Sequence, residues 1–266
     1  MVITSKQNPI IKALVALRRR REREQAGVTL IDGYEELSCA LASGVKINQL
    51  YVCPELMAGG EQAGRLKQLT GAGTPISELS RTVFEKIAYR DGADGWLAVV
   101  PALKADISAL QLPEHPLLLV CEAVEKPGNI GAMLRTADAA GAHAVVAVNG
   151  VTDWGNPNVI RASKGAVFAV PVADVSQKAL YAWLKDNSIT IVASTPDTDI
   201  PFTEPDLTGG VALFVGSEKH GLSDFWLQHA DAQVQIPMAG TVNSLNVATS
   251  AALLLYEAVR QRSLQP

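Results

Sequence analysis

From Leu117 onward, short apolar runs alternate with helical stretches, and this alternation restricts the available folds more than any other feature of the chain. Candidate strands cover residues 117–121, 144–148, 167–172, 190–193, 211–215 and 233–236. Helical patterns cover 130–140, 157–164, 176–185, 223–229 and 245–262. Runs such as Leu-Leu-Leu-Val-Cys at 117–121 and Ala-Val-Val-Ala-Val at 144–148 are apolar at every position. A strand with one wet face alternates apolar and polar residues, so a strand apolar on both sides is buried on both sides. Such strands joined through helices predict a mainly parallel sheet with helices on both faces, an α/β fold. Taken alone, the pattern predicts an ordinary doubly wound order.

The first part of the chain reads as a smaller α/β unit. Ile10, Ile11, Leu14 and Leu17 have helical spacing, and the run Arg18, Arg19, Arg20, Arg21 is expected to extend the same helix. Strands are expected at 28–31, 49–52, 75–79 and 97–100, with helices at 34–42, 61–69 and 82–88. Residues 101–116 hold three prolines and little periodicity, which marks a boundary. The expected organisation is a domain over 1–105, a linker over 106–116 and a larger domain over 117–266.

The net charge of −4 gives little hint of a polyanionic partner until it is divided. Residues 1–105 hold 14 Lys and Arg against 11 Asp and Glu, and the remainder holds 9 against 16. A basic half beside an acidic one points to nucleic-acid contact through the basic half. The densest positive cluster is Arg18, Arg19, Arg20, Arg21 and Arg23, and its alternative reading is a solvated helix face. Cys39, Cys53 and Cys121 are odd in number and widely spaced, fitting neither a disulfide framework nor a metal site. No apolar run reaches the ~18 residues of a membrane span, and the order of charge and apolarity at the N-terminus is wrong for a signal peptide. A soluble cytoplasmic protein is expected, without membrane or metal.

Three segments carry chemistry. Asn129-Ile-Gly-Ala-Met-Leu-Arg135 opens a helix after the first strand of the larger domain. Gly216-Ser-Glu-Lys-His-Gly221-Leu-Ser223 follows the fifth strand, and Ile236-Pro-Met-Ala-Gly-Thr-Val-Asn-Ser-Leu-Asn246 leads into the last helix. The second nearly spells a P-loop, but Leu222 stands where the phosphate-binding lysine would be, so nucleotide hydrolysis is a poor reading. Asn129, Ser223, Ser244 and Asn246 could equally be helix caps, and Arg135 a solvated helix charge. Thr195 before Pro196 is ordinary turn chemistry.

In this order, the three segments resemble the motifs of the SpoU/TrmH family of S-adenosylmethionine-dependent RNA ribose 2′-O-methyltransferases, within the SPOUT superfamily. The resemblance spans about half the chain, residues 117–262. It implies that the larger domain ends in a trefoil knot, a topology pattern reasoning would not propose. It also implies S-adenosylmethionine as methyl donor, bound through main-chain groups at Gly216, Ile236 and Leu245, with Met238 and Thr195 beside them. The implied catalytic set is Asn129, Arg135, Glu218, Ser244 and Asn246. Arg135 would act on the target ribose, and orienting a phosphate suits a permanently protonated guanidinium better than proton abstraction. Arg161, with Arg18, Arg19, Arg20 and Arg21, would grip RNA. The resemblance further implies a homodimer and a substrate-recognition role for the first domain. The expected substrate is ribosomal RNA, with transfer RNA second.

Overall fold

The computed structural model describes residues 2–89, 92–150 and 153–265. They divide into two compact units, residues 1–103 with 153–169, and residues 104–152 with 170–266. No helix among the described residues is long and apolar enough to cross a membrane.

The first unit begins with β1 (Val2–Ile3), α1 (Pro9–Ala16), α2 (Arg20–Ala26), β2 (Val28–Asp32) and α3 (Tyr34–Ala42). It continues with β3 (Gln49–Val52), α4 (Glu61–Gly71), β4 (Ile76–Leu79), α5 (Arg81–Ile87) and β5 (Trp96–Pro101). Its five-stranded sheet runs β1-β4-β3-β5-β2, with β5 antiparallel to both neighbours. Ile11, Leu14, Val83, Phe84 and Ile87 from α1 and α5 pack on Leu30, Leu79 and Leu97. The expected single arginine-bearing helix is two helices. Asn8 caps α1 and Pro9 starts it, the chain then breaks at residues 17–19, and α2 ends at Gly27 in the left-handed conformation. The break turns Arg23 inward, where it pairs with Asp153 and donates to the carbonyls of Leu17 and Arg18 at 2.8 and 2.9 Å.

The second unit holds β6 (Leu117–Glu122), α6 (Pro127–Ala139), β7 (Ala144–Val148), β8 (Val172–Val175), α8 (Gln177–Asp186) and β9 (Thr190–Ser194). It closes with β10 (Val211–Val215), α9 (Asp224–His229), β11 (Ala232–Val234) and α10 (Val247–Ser263). The intervening α7 (Pro157–Ala162) lies in the segment that belongs to the first unit. Six parallel strands run β11-β9-β10-β6-β7-β8. Alternate residues serve opposite faces. Leu118, Val120, Val146, Ala212 and Phe214 pack with Leu180 and Leu184 of α8 and Trp226 of α9. On the other face α10 packs against α6, β6 and β10, and Cys121 meets Met133 of α6.

Further expectations differ from this arrangement, beginning with residues 153–169, which were expected in the larger domain and group with the first unit. The expected linker over 106–116 is not free: Ile107, Leu110 and Leu112 pack on the core of the second unit, and Asp174 N–H donates to Ala105 O. The strand expected at 167–172 is a short 3-10 turn over Ala166–Phe168, with the strand itself at Val172–Val175. Periodicity cannot separate a short apolar run in a strand from one in a buried turn. Here Gly165, in the left-handed conformation and tight against Glu36 and Cys39 of α3, starts the turn.

Candidate active site

In an open parallel sheet, ligands bind beyond the carboxyl ends of the strands, where loops from neighbouring strands diverge. The neighbours at the centre of this sheet are β6 and β10. The first motif follows β6 and the second follows β10, so the sheet order alone makes them adjacent. The third motif leaves the edge strand β11 and enters α10, which packs back on α6, β10 and β6. Its loop therefore crosses from the edge of the sheet to the centre.

Hydrogen bonds tie the three motifs together in one direction. Ala248 N–H, in the first turn of α10, donates to Asn246 Oδ1 at 3.0 Å. Asn246 Nδ2 donates to Asn129 Oδ1 at 3.2 Å, and Asn129 Nδ2 donates to Glu218 Oε1. A carboxylate only accepts, and a backbone N–H only donates, so both amide orientations follow from the two ends of the chain. Bonds aligned this way polarise one another. Asn246 is thus both the expected cap of α10 and the link from the third motif to the first. Asn129 is not a cap: it lies inside α6, which begins at Pro127. Glu218 Oε2 has no partner among the described residues.

The loop feeding α10 is open. Residues 239–246 are all exposed, including Val242 at 62% and Leu245 at 36%. Ile236 and Met238 are half-buried. Among the described residues, the backbone N–H and C=O groups from Ile236 to Leu245 make no hydrogen bond within the protein. Unpaired main-chain groups beside exposed apolar side chains suit a flat heteroaromatic ligand with polar edges.

The second-motif loop is the opposite, tightly closed. Ser217 and Gly221 exchange backbone hydrogen bonds of 3.1 and 3.0 Å, with Gly221 in the left-handed conformation. A methyl group at Gly216 would overlap the Gly221 carbonyl and the Leu222 nitrogen. The glycine is thus required by its own loop, whatever it binds. Ser223 stands at the N-cap of α9, yet its hydroxyl makes no capping bond. It donates instead to the Glu122 carboxylate.

Arg135 is exposed on α6, and its side chain has no partner among the described residues; the same holds for Ser244. The structure therefore joins Asn129, Glu218 and Asn246 and leaves Arg135 and Ser244 outside that network. Thr195 is buried just past β9, and its hydroxyl accepts from Asp197 N–H at 3.2 Å, the ordinary turn role. In the first unit, Arg161 meets Asn158 at 3.3 Å. Arg18 donates to the carbonyls of Lys86 and Ala88 at 2.9 and 2.8 Å and lies over the Tyr89 ring. Arg19 pairs with Glu22 and Arg20 with Glu24, while Arg21 carries no partner among the described residues. Glu122, which bonds Ser223 at the end of the second-motif loop, is a contact that the sequence did not suggest. It ends an apolar strand, and only its burial at 4% exposure marks it out.

Residues 116–256 match the model of the SpoU rRNA Methylase family. The chain belongs to this family. Residues 8–98 match the MRM3-like substrate binding domain. Among the family's members, the 23S rRNA (guanosine-2′-O-)-methyltransferase RlmB of Ralstonia nicotianae is 34% identical over 206 residues, covering 76% of this chain and 83% of that protein. A crystal structure of an RNA 2′-O ribose methyltransferase is 40% identical, covers 99% of this chain and 100% of its own, and superposes with a TM-score of 0.88. The AdoMet-bound rRNA methyltransferase of Sinorhizobium meliloti is 28% identical with a TM-score of 0.89, covering 100% of this chain and 99% of its own. These likenesses extend over both units.

Proposed function

We propose that this chain is an S-adenosylmethionine-dependent RNA 2′-O-methyltransferase acting on ribosomal RNA, and that Asn129, Arg135, Glu218, Ser244 and Asn246 form its catalytic site. The observation that carries this reading is the directed chain from Ala248 through Asn246 and Asn129 to Glu218, which unites the three motifs beside a loop of unpaired main-chain groups. S-adenosylmethionine would supply a methyl group on a sulfonium: the ribose O2′ would bond the methyl carbon as the carbon–sulfur pair leaves with S-adenosylhomocysteine, and the 2′-hydroxyl proton would pass to the Glu218 carboxylate. The residues supply alignment, which accounts for much of the rate in such a displacement. The loop through Ile236, Met238 and Leu245 would hold the donor by its main chain, with Gly216 and Thr195 beside it. Glu218, fixed by Asn129, offers its remaining oxygen to the 2′-hydroxyl. Arg135, without a partner among the described residues, would take the neighbouring phosphate in a bidentate grip, and the exposed Ser244 of the third motif would help to position the hydroxyl.

The first unit would bind substrate through its basic surface, with Arg19, Arg20, Arg21 and Arg161 exposed or half-exposed. Arg18 contributes less, because it already holds the end of α5 through two carbonyls. A trefoil knot in the second unit accords with α10 being held at both ends. Asn246 anchors its start, and Arg262 donates at its end to the carbonyls of His115, Pro116, Leu207 and Gly209. A crystal structure tracing α10 outside the 216–222 loop would refute the knot. A homodimer is supported by Leu253 and Tyr256, exposed at 38% and 50% on α10. Sedimentation as a monomer at micromolar concentration would remove it. A cytoplasmic location suits three free cysteines.

The test is methyl uptake from labelled donor into RNA isolated from cells lacking the gene. Large-subunit ribosomal RNA should accept label and bulk transfer RNA should not; label in transfer RNA alone would overturn the substrate assignment.

A further inference from the structure

Glu122 is the last residue of β6, 4% exposed, and none of its partners among the described residues is a cation. Ser223 N–H donates to Oε2 at 2.7 Å and Ser223 Oγ to Oε1 at 2.8 Å, with Asn149 Nδ2 at 3.4 Å from Oε1. Asn149 also donates to Gln177 at 2.9 Å. Taking a carboxylate out of water without a counter-charge is costly. Ser223 forgoes a capping bond, worth about 1 kcal/mol, to face this carboxylate. Ala123, the residue after the end of β6, adopts the left-handed conformation, which alanine enters only when its surroundings hold it there. This strain and a buried carboxylate without a cationic partner thus meet at the end of β6, where Glu122 is bonded to the residue that closes the 216–222 loop.

The connectivity explains what the carboxylate holds. Ser223 is where the second-motif loop stops and α9 starts. The loop leaves β10 at Gly216, closes on itself through Ser217 and Gly221, and buries Leu222 in the core. Its Glu218 reaches Asn129 on α6, which starts from the same strand end as Glu122. We propose that Glu122 is the positioning residue of the methyl-donor loop: by taking both donors of Ser223 it fixes the 216–222 main chain to the end of β6, in register with Asn129. This inference rests on the reading that the loop contacts the donor.

The full-length variants Glu122→Ala, Glu122→Gln and Ser223→Ala test it, with S-adenosylhomocysteine as the calorimetric probe and KM measured separately for donor and RNA. Glu122→Ala should weaken probe binding and raise the donor KM by tenfold or more, while the RNA KM moves less than twofold. Glu122→Gln should stay within threefold of wild type. Its carbonyl oxygen can still accept from Ser223 N–H, and its amide can donate to Ser223 Oγ. A folded Glu122→Ala protein with unchanged probe affinity overturns the proposal, as does a Gln variant as impaired as Ala or an equal rise in both KM values. Should Glu122→Ala fail to fold, Ser223→Ala decides: a threefold or greater loss of probe affinity supports the proposal, and wild-type affinity overturns it. Hydrogen exchange in the wild-type protein separates the underlying reading. If the probe slows exchange of the 216–222 amides, the pocket stands and only the role of Glu122 is at issue; if it does not, the pocket itself is wrong.

Discussion

Arg135 and Arg23 show how the same side chain serves opposite ends according to its surroundings. Arg23 is buried at 4% exposure, paired with Asp153 and spent on backbone carbonyls, and it answers to the stability of the first unit. Arg135 is exposed and has no such obligations. Replacing Arg135 with Ala should leave unfolding free energy within about 0.5 kcal/mol of wild type, as for other exposed sites. Catalysis should suffer: kcat/KM should fall about 100-fold or more, the scale of losing one charge-stabilising donor. Arg135→Lys should recover only part, because an ammonium cannot form the planar fork. Steady-state kinetics at saturating donor check this, and an Arg135→Ala enzyme within twofold of wild type would remove Arg135 from the site.

The 216–222 loop shows what glycine does for an element. Gly216 has no room for a methyl group because the backbone at Gly221 and Leu222 occupies it. Gly216→Ala should therefore break the Ser217–Gly221 pairing and destabilise the second unit by about 1–3 kcal/mol, the usual cost of overpacking. Urea unfolding measures it; a neutral substitution would contradict the tight loop. It follows that a bulky residue at Gly216 is a poor probe of donor binding, since loss of the ligand and loss of the loop coincide. The strands β7 and β10 were legible to the residue because their apolar runs are bounded by turn residues. Turn Ala166–Phe168 was not, since its apolar side chains pack on α3, far away in sequence. The break between α1 and α2 was hidden for a related reason: a run of arginines reads as a solvated face until Asp153, 130 residues on, supplies a buried partner. Of the proposed site residues, Asn129, Glu218 and Asn246, which hydrogen bonds join, stand in motifs that the sequence displays. Glu122 does not, because a lone carboxylate at a strand end carries no pattern until its partner at Ser223, 101 residues away, is seen.

For the whole molecule, the division of charge sets the behaviour. If the basic surface of the first unit neutralises phosphates, replacing Arg18, Arg19, Arg20 and Arg21 together by Gln should weaken RNA binding and flatten its dependence on salt. Each lost phosphate contact lowers the log–log slope by roughly 0.7–0.9. With Arg18 engaged by Lys86 and Ala88, and Arg19 and Arg20 in exposed ion pairs, the change should be smaller than four contacts would give. Donor affinity should not move, and an unchanged slope would return the cluster to a solvated face. The central claim is that the methyl group goes to a ribose oxygen. Its most direct test is nucleoside mass spectrometry on ribosomal RNA methylated by the purified protein. The account predicts one 2′-O-methylated nucleoside whose added mass stays with the sugar on fragmentation. Added mass that travels with the base would contradict it.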